Sequence, residues 1–191
     1  MKNRIILARH GQDEDNAAGI LNGRRDMPLT EKGILQAYEL VKNVRKSNLH
    51  IGLVLSSALQ RACRTAEICA KGLGTRHIIL DYLIERNHGI LEGHPYSDIP
   101  ILAKEYCERF GFTYVLDVEG GETYPDLCDR ASEVLCKIKE FISYCWWLDG
   151  DVLVVSHGAI SRAMLVVHKG LTWRELIDTP SFSNCEFKIL E

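Results

Sequence analysis

Arg4-Ile5-Ile6-Leu7-Ala8-Arg9-His10-Gly11 opens the chain with a charge-free apolar run that ends in a guanidinium, an imidazole and a glycine. A run of that length and composition reads as a buried strand. In an open α/β sheet, ligands collect just beyond the carboxyl ends of the strands, so His10 stands where chemistry takes place. Arg9 beside it offers a planar fork that suits phosphate oxygens. Taken alone, such a triplet is more often structural than catalytic, and the rest of the chain has to decide.

The same pattern returns near the other end. Asp151-Val152-Leu153-Val154-Val155-Ser156-His157-Gly158 is again an apolar strand closing in His-Gly, with a helix predicted from Ala159 to about Val167. Two such strands can bring two imidazoles to one sheet edge, facing the free N–H groups of a helix start. Between them, Gln12 to Pro28 reads as a polar loop with Asn16, Asn22-Gly23 and Arg24-Arg25, long enough to be functional. Thr30 caps a predicted helix to about Lys46, and Ile51 to Ser57 is a second strand. A helix over about 58–71 carries Arg61 in its first turn, where the macrodipole disfavours a cation unless an anion is present. Ile78 to Leu80 is a third strand, Tyr124 to Tyr144 a long amphipathic helix, Thr172 to Asp178 a short one and Cys185 to Leu190 a last strand. Residues 86–130, rich in Gly and Pro, read as an excursion that caps the site, with a helix expected from about Ser97 to Phe110.

Bulk properties narrow the partners. At 191 residues the chain fits one domain. A net charge of −3 with no basic run argues against nucleic acid or a membrane surface, leaving a small molecule or a protein. Seven cysteines, an odd number with no Cys-x-x-Cys pair, suit reduced thiols, and the short apolar start is no signal peptide or spanning helix. A cytoplasmic location follows as an expectation. His50 and His77 read as surface residues, His168 as a helix-end cation, and His88 and His94 as cap residues open to substrate contact. Trp146-Trp147 packs the long helix or forms an oligomer contact in a homodimer.

The predicted sheet edge collects Arg9, His10, Asn16, Arg61, Glu85 and His157. Two arginines and two histidines can hold an anion, and one carboxylate can move a proton. That combination suits phosphoryl transfer through a phosphohistidine, with no cofactor and no metal, since cationic side chains supply the charge stabilisation. A metal site built from His10, His157 and carboxylates is the competing enzyme class, but no His-x-x-x-His or neighbouring carboxylate motif supports it.

These residues resemble the histidine phosphatase superfamily, also called the phosphoglycerate-mutase-like family. The resemblance rests on Arg9-His10-Gly11-Gln12, Asn16, Asn22-Gly23, the run Asp26 to Gly33, Ser56 to Ala62, Thr65-Ala66, Glu85, Gly89 to Gly93, Gly120-Gly121-Glu122, Arg130 and Ser156-His157-Gly158, in family order along nearly the whole chain. It implies a three-layer α/β/α sandwich with a mainly parallel central sheet. It further implies His10 as nucleophile, Glu85 as proton donor and acceptor, and Arg9, Arg61 and His157 as the phosphate pocket. Asn16, Asn22 and Gly23 would line the substrate side, joined by Arg86, His88 and the backbone of Gly158 and Ala159.

Within the family, His88 stands where the mutase branch has Tyr, Glu92-Gly93 is common in phosphatase branches, and the chain is short for a mutase. A phosphatase acting on a small phosphorylated metabolite is therefore expected. The alternatives are a phosphoglycerate mutase, a fructose-bisphosphatase of the TIGAR-like type, suggested by Gly120-Gly121-Glu122 and the cap, and a non-catalytic phosphate-binding regulatory module. Residues 85–130 hold ten Asp/Glu against four Lys/Arg, which as an acidic lid would favour hydrolysis over transfer and monophosphates at least as much as bisphosphates. Alternatively, those carboxylates face solvent while Arg86 turns inward.

Overall fold

The computed structural model describes residues 3–190. In chain order these form β1 (Ile5–Arg9), α1 (Glu14–Ala18), α2 (Glu31–Lys46), β2 (Ile51–Ser56), α3 (Gln60–Leu73), β3 (Arg76–Ile79), α4 (Ile99–Leu102), β4 (Glu105–Arg109), β5 (Phe112–Asp117), α5 (Tyr124–Tyr144), β6 (Asp151–Ser156), α6 (Gly158–His168), α7 (Trp173–Ile177) and β7 (Phe187–Leu190). The main sheet has the order β3-β2-β6-β1-β7. All its neighbours run parallel except β7, which pairs antiparallel with β1.

Alternation along the strands builds the three layers. Ile5 and Leu7 of β1, with Val152 and Val154 of β6, face α5, α6 and α7. Ile6 and Ala8, with Leu153 and Val155, face α2 and α3. Every β6 residue is buried, and its interior, Val152-Leu153-Val154-Val155, is a continuous apolar run, as expected of a sheet covered on both faces. Each fully buried Leu, Ile or Val there contributes roughly 1.5–3 kcal/mol.

The helices begin where local chemistry starts them. The Thr30 hydroxyl accepts from the Gly33 amide at 3.0 Å, and Thr123 forms a capping box with Asp126 ahead of α5. Backbone packing then fixes the loop after His10. A Cβ on Gly11 would run into the Gly33 carbonyl, and one on Gly33 into the Gln12 carbonyl, so α2 begins in direct contact with the end of β1.

Two expectations are corrected. The polar stretch 12–28 contains α1, because the Asp13 side chain accepts from the Asn16 amide at 2.7 Å and caps a helical turn that Gly19 ends at φ 70°. The helix expected over 97–110 is absent: α4 stops at Leu102, and β4 and β5 form a hairpin instead. Phe110 and Gly111, at φ 55° and 74°, make its two-residue turn. Phe112, Thr113, Tyr114 and Val115 are β-formers, and pairing across the turn overrides the helical spacing. Val115 and Val118 join Leu21, Leu91 and Ile99 in a small third core beneath the excursion.

Among the described residues no helix is long and apolar enough to cross a membrane. The seven cysteines are free thiols.

Candidate active site

Parallel register brings the two histidines together. Arg9 of β1 pairs with Ser156 of β6, and the His10 amide donates to the Ser156 carbonyl at 3.0 Å. Both strands end one residue before their histidine, so the His10 and His157 rings meet edge to face with centroids 5.1 Å apart. The His10 Nδ1–H donates to its neighbour's carbonyl, Gly11 O, at 2.6 Å, which leaves Nε2 as the ring's unprotonated nitrogen. Burial, together with the Arg61 and Arg9 charges, holds the His10 pKa well below its ordinary value, so the ring is neutral at pH 7. His157 is held neutral in the same way, by burial first and then by Arg61.

Arg61, in the first turn of α3 and fully buried, is the hub. Its Nε–H faces His10 Nε2 and His157 Nδ1, each at 3.2 Å. With His157 Nδ1 accepting, that ring carries its proton on Nε2, which is buried and has no partner. The terminal nitrogens of Arg61 donate to the Gly23 and Arg25 carbonyls at 2.7 and 2.5 Å. Asp13 pairs with Nε at 3.2 Å. Arg9 donates through its terminal nitrogens to Phe182 O at 2.8 Å and Asn16 Oδ1 at 3.2 Å, leaving its buried Nε without a partner.

Glu85 sits at the start of α6. Its carboxylate accepts from the Arg86 amide at 2.8 Å, the Ile160 amide at 3.0 Å and the Ala159 amide at 3.1 Å. A carboxylate suits that position, since it meets both the free N–H groups and the positive end of the helix. Above this cluster opens a cavity of about 510 Å³, walled on one side by Arg9, Asn16, Asn22 and Glu85 and on the other by the 86–130 excursion.

A sequence model of the histidine phosphatase superfamily (branch 1) matches residues 5–191. The chain belongs to this superfamily. It is 30% identical over 181 residues to a 2,3-bisphosphoglycerate-dependent phosphoglycerate mutase of Bartonella bacilliformis, covering 93% of this chain and 86% of the relative. A mutase of the same description from a Methylobacterium species is 31% identical, covering 90% and 83%. Among solved structures, the Mycobacterium tuberculosis open reading frame Rv3214 superposes with a TM-score of 0.78 at 25% identity, over 99% of this chain and 91% of that one. A mycobacterial glucosyl-3-phosphoglycerate phosphatase shares the fold, with a TM-score of 0.80 at 21% identity, over 98% and 90%.

In this histidine phosphatase superfamily enzyme the sequence-predicted residues converge unevenly. Arg9, His10, Arg61 and His157 form one cluster, and Asn16, Asn22, Glu85, Arg86, His88, Gly158 and Ala159 line the cavity. Gly23 does not line it and supplies a carbonyl to Arg61 from behind. The Ala159 amide, expected to face substrate, is given to Glu85. His88 is held near pKa 3 by burial and by Arg86, and its Nδ1 has no partner. His94 lies outside the cavity and pairs with Asp98 at 3.1 Å. His77, expected at the surface, is half-buried against the Ser56 hydroxyl at 2.7 Å. Trp147 stacks on Arg76 at 4.6 Å, whereas Trp146 is exposed.

The acidic-lid expectation does not describe the cavity. Glu105, Glu108, Glu119, Asp126 and Asp129 are exposed, and among the described residues Glu85 is the single carboxylate in the wall. Sequence reasoning also missed Asp13, Tyr114, Tyr124 and Arg162. Asp13 follows His10 by three residues and Arg162 follows His157 by five, spacings that a strand-to-helix turn folds back onto the site.

Proposed function

We propose that the chain is a metal-independent phosphatase of one domain, with residues 86–130 as its cap, hydrolysing a small phosphomonoester through a phosphohistidine on His10. The observation that carries this reading is a neutral His10 beside two buried, unpartnered donors, Arg9 Nε–H and His157 Nε2–H. Such donors cost free energy unless an anion takes them, and a phosphoryl group offers three equatorial oxygens.

His10 Nε2 attacks phosphorus in line as the P–O bond to the leaving group breaks, and Glu85 in its acid form gives that oxygen its proton. The Arg61 Nε–H that faces the imidazole in the resting site turns to a phosphoryl oxygen, joining Arg9 and His157. Water then attacks phosphorus, Glu85 takes its proton, and the P–N bond breaks to return neutral His10 and inorganic phosphate. Asn16, which accepts from Arg9 and from Asn184 Nδ2, each at 3.2 Å, keeps the guanidinium aimed.

The resemblance of His88 and Glu92-Gly93 to the phosphatase branches supports hydrolysis over transfer; in the fold the Glu92 carboxylate ties the two segments together, accepting from the His88 amide at 3.0 Å and the Arg24 amide at 2.9 Å. The mutase reading keeps its place because the relatives of 30–31% identity carry that name. Labelled aryl phosphate followed by a rapid acid-free quench should place acid-labile phosphate on His10, and His10→Ala should abolish both label and turnover. Label on serine or cysteine, or near-normal turnover in the variant, would refute the mechanism. Side-by-side rates with monophosphoglycerates and bisphosphoglycerate decide between the two branches: efficient interconversion of the 2- and 3-phosphates makes the chain a mutase.

A further inference from the structure

Arg9 and His10 are gripped from a turn near the other end of the chain, residues 182–186, which leads into β7. The Arg9 amide donates to the Glu186 carbonyl at 3.1 Å, and the Cys185 amide donates to the Arg9 and His10 carbonyls at 3.1 and 3.3 Å. Cys185 reaches both from φ 59°, in the left-handed region that a residue with a side chain keeps only where its contacts hold it there. The Phe182 carbonyl takes Arg9 Nη1 at 2.8 Å, and the Phe182 ring is buried in the main core. Asn184 completes the grip through its side chain. Its Nδ2 donates to the His10 carbonyl at 3.1 Å and to Asn16 Oδ1 at 3.2 Å, and that same oxygen accepts from Arg9 Nη2 at 3.2 Å.

Chemistry fixes the polarity of this relay. A guanidinium only donates, so the Asn16 atom beside it is the oxygen, and the Asn184 atom facing that oxygen and a carbonyl is the nitrogen. A planar guanidinium held at both terminal nitrogens has one orientation left, and here that orientation carries the buried, unpartnered Nε–H of Arg9. One of the two anchors is backbone, but the other belongs to an amide whose last torsion is soft unless a second donor holds it. Without Asn184 the His10 carbonyl keeps the Cys185 amide, whereas Asn16 Oδ1 keeps, among the described residues, Arg9 alone. We infer that Asn184 is a positioning residue for phosphate binding: acting through Asn16, it holds Arg9 in the orientation that turns Nε–H to the phosphoryl oxygens. This rests on the proposed phosphate site at His10 and gives that site a residue from a separate element.

Orthophosphate titrated calorimetrically reads the phosphate site without turnover, and aryl phosphate kinetics read it during turnover. Asn184→Leu keeps the shape of the side chain and adds no charge, so it removes the two hydrogen bonds with little change in packing. It should weaken orthophosphate about 10-fold and lower kcat/KM about 10–100-fold, as a misaimed charge-assisted donor does. Asn184→Ala should match it. A Kd reports only folded protein, so a partial loss of fold leaves that measure intact. In the Asn16→Ala background either change at Asn184 should move both quantities by less than about 3-fold, because the relay is already cut. Asn184→Leu within about 2-fold of wild type would show that the side chain only packs, and losses that multiply across the two positions would show that Asn184 meets the ligand itself. Either outcome overturns the inference. Orthophosphate binding that depends on Asn184 as expected, with no phosphate label on His10, would refute the phosphatase mechanism and leave the positioning role standing.

Discussion

Asp13 and Arg61 form an ion pair at 3.2 Å in which neither side chain has any exposed surface. The pair is anchored on both sides, since Asp13 also accepts from the Asn16 amide and from Asn22 Nδ2 at 2.5 Å. Asp13 therefore links the loop after His10, the cavity-lining Asn16 and Asn22, and the arginine that faces both histidines. Burial raises the Asp13 pKa, and the Asn16 amide and Arg61 act against that rise.

Removing one partner of such a pair leaves a buried charge uncompensated. Asp13→Ala should destabilise the protein by about 3–5 kcal/mol in urea unfolding. The double variant with Arg61→Met should recover part of that loss, because no charge is then stranded. A cost below about 1 kcal/mol for the single variant would show that water reaches Arg61 and that the pair does not organise the site.

Glu85→Gln should slow alkyl phosphates with poor leaving groups by about 10²–10⁴-fold, and aryl phosphates with good ones much less. The amide oxygen still accepts from one or two of the Arg86, Ala159 and Ile160 amides, so the fold survives. A rate series over leaving-group pKa checks this. A uniform loss across the series would mean that Glu85 serves α6 and not the proton transfer.

Stability should fall on acidification through the site histidines. His10 and His157 hold their folded pKa values well below 6.5, so as pH drops the unfolded chain takes up protons before the folded one does. Their contribution is complete above about pH 6.5 and is lost below it, toward the depressed folded values, at up to about 1.4 kcal/mol per pH unit for each ring. His88, held near 3, acts with the same sign between about pH 6.5 and that value. Urea midpoints between pH 7 and 5 should decline, and more gently in His157→Gln. An unchanged slope in the variant would mean that His157 protonates freely in the folded protein.

Gly11→Ala should cost about 1–3 kcal/mol, because the new Cβ meets the Gly33 carbonyl, a backbone group at the start of α2 that has little room to yield. Thermal unfolding measures it. Activity should fall along with stability, since the same shift moves His10. A neutral substitution would show that α2 can slide away from the sheet end.

The strands, the long helices and the convergence of Arg9, His10, Arg61, Glu85 and His157 were legible because each depends on local pattern. Apolar runs mark covered strands, Thr30 marks a helix start, and a cation in the first turn of α3 is anomalous unless it serves an anion. The 97–110 segment was misread because its spacing fits a helix, whereas pairing across Phe110-Gly111 is a contact between strands that periodicity does not contain. Similarly, counting charge along 85–130 suggests an acidic lid, but the pleat and turns keep all of those carboxylates except Glu85 out of the cavity wall and fold Arg86 inward. Sequence alone therefore determined the sheet, the side chains that meet at its edge and the family. Tertiary structure decided which donors are left unpartnered, which carboxylate meets α6, and that Arg162 shares a cavity with Arg86. Those depend on desolvation and on the direction of side chains from separate elements, and neither is encoded in any one stretch of chain.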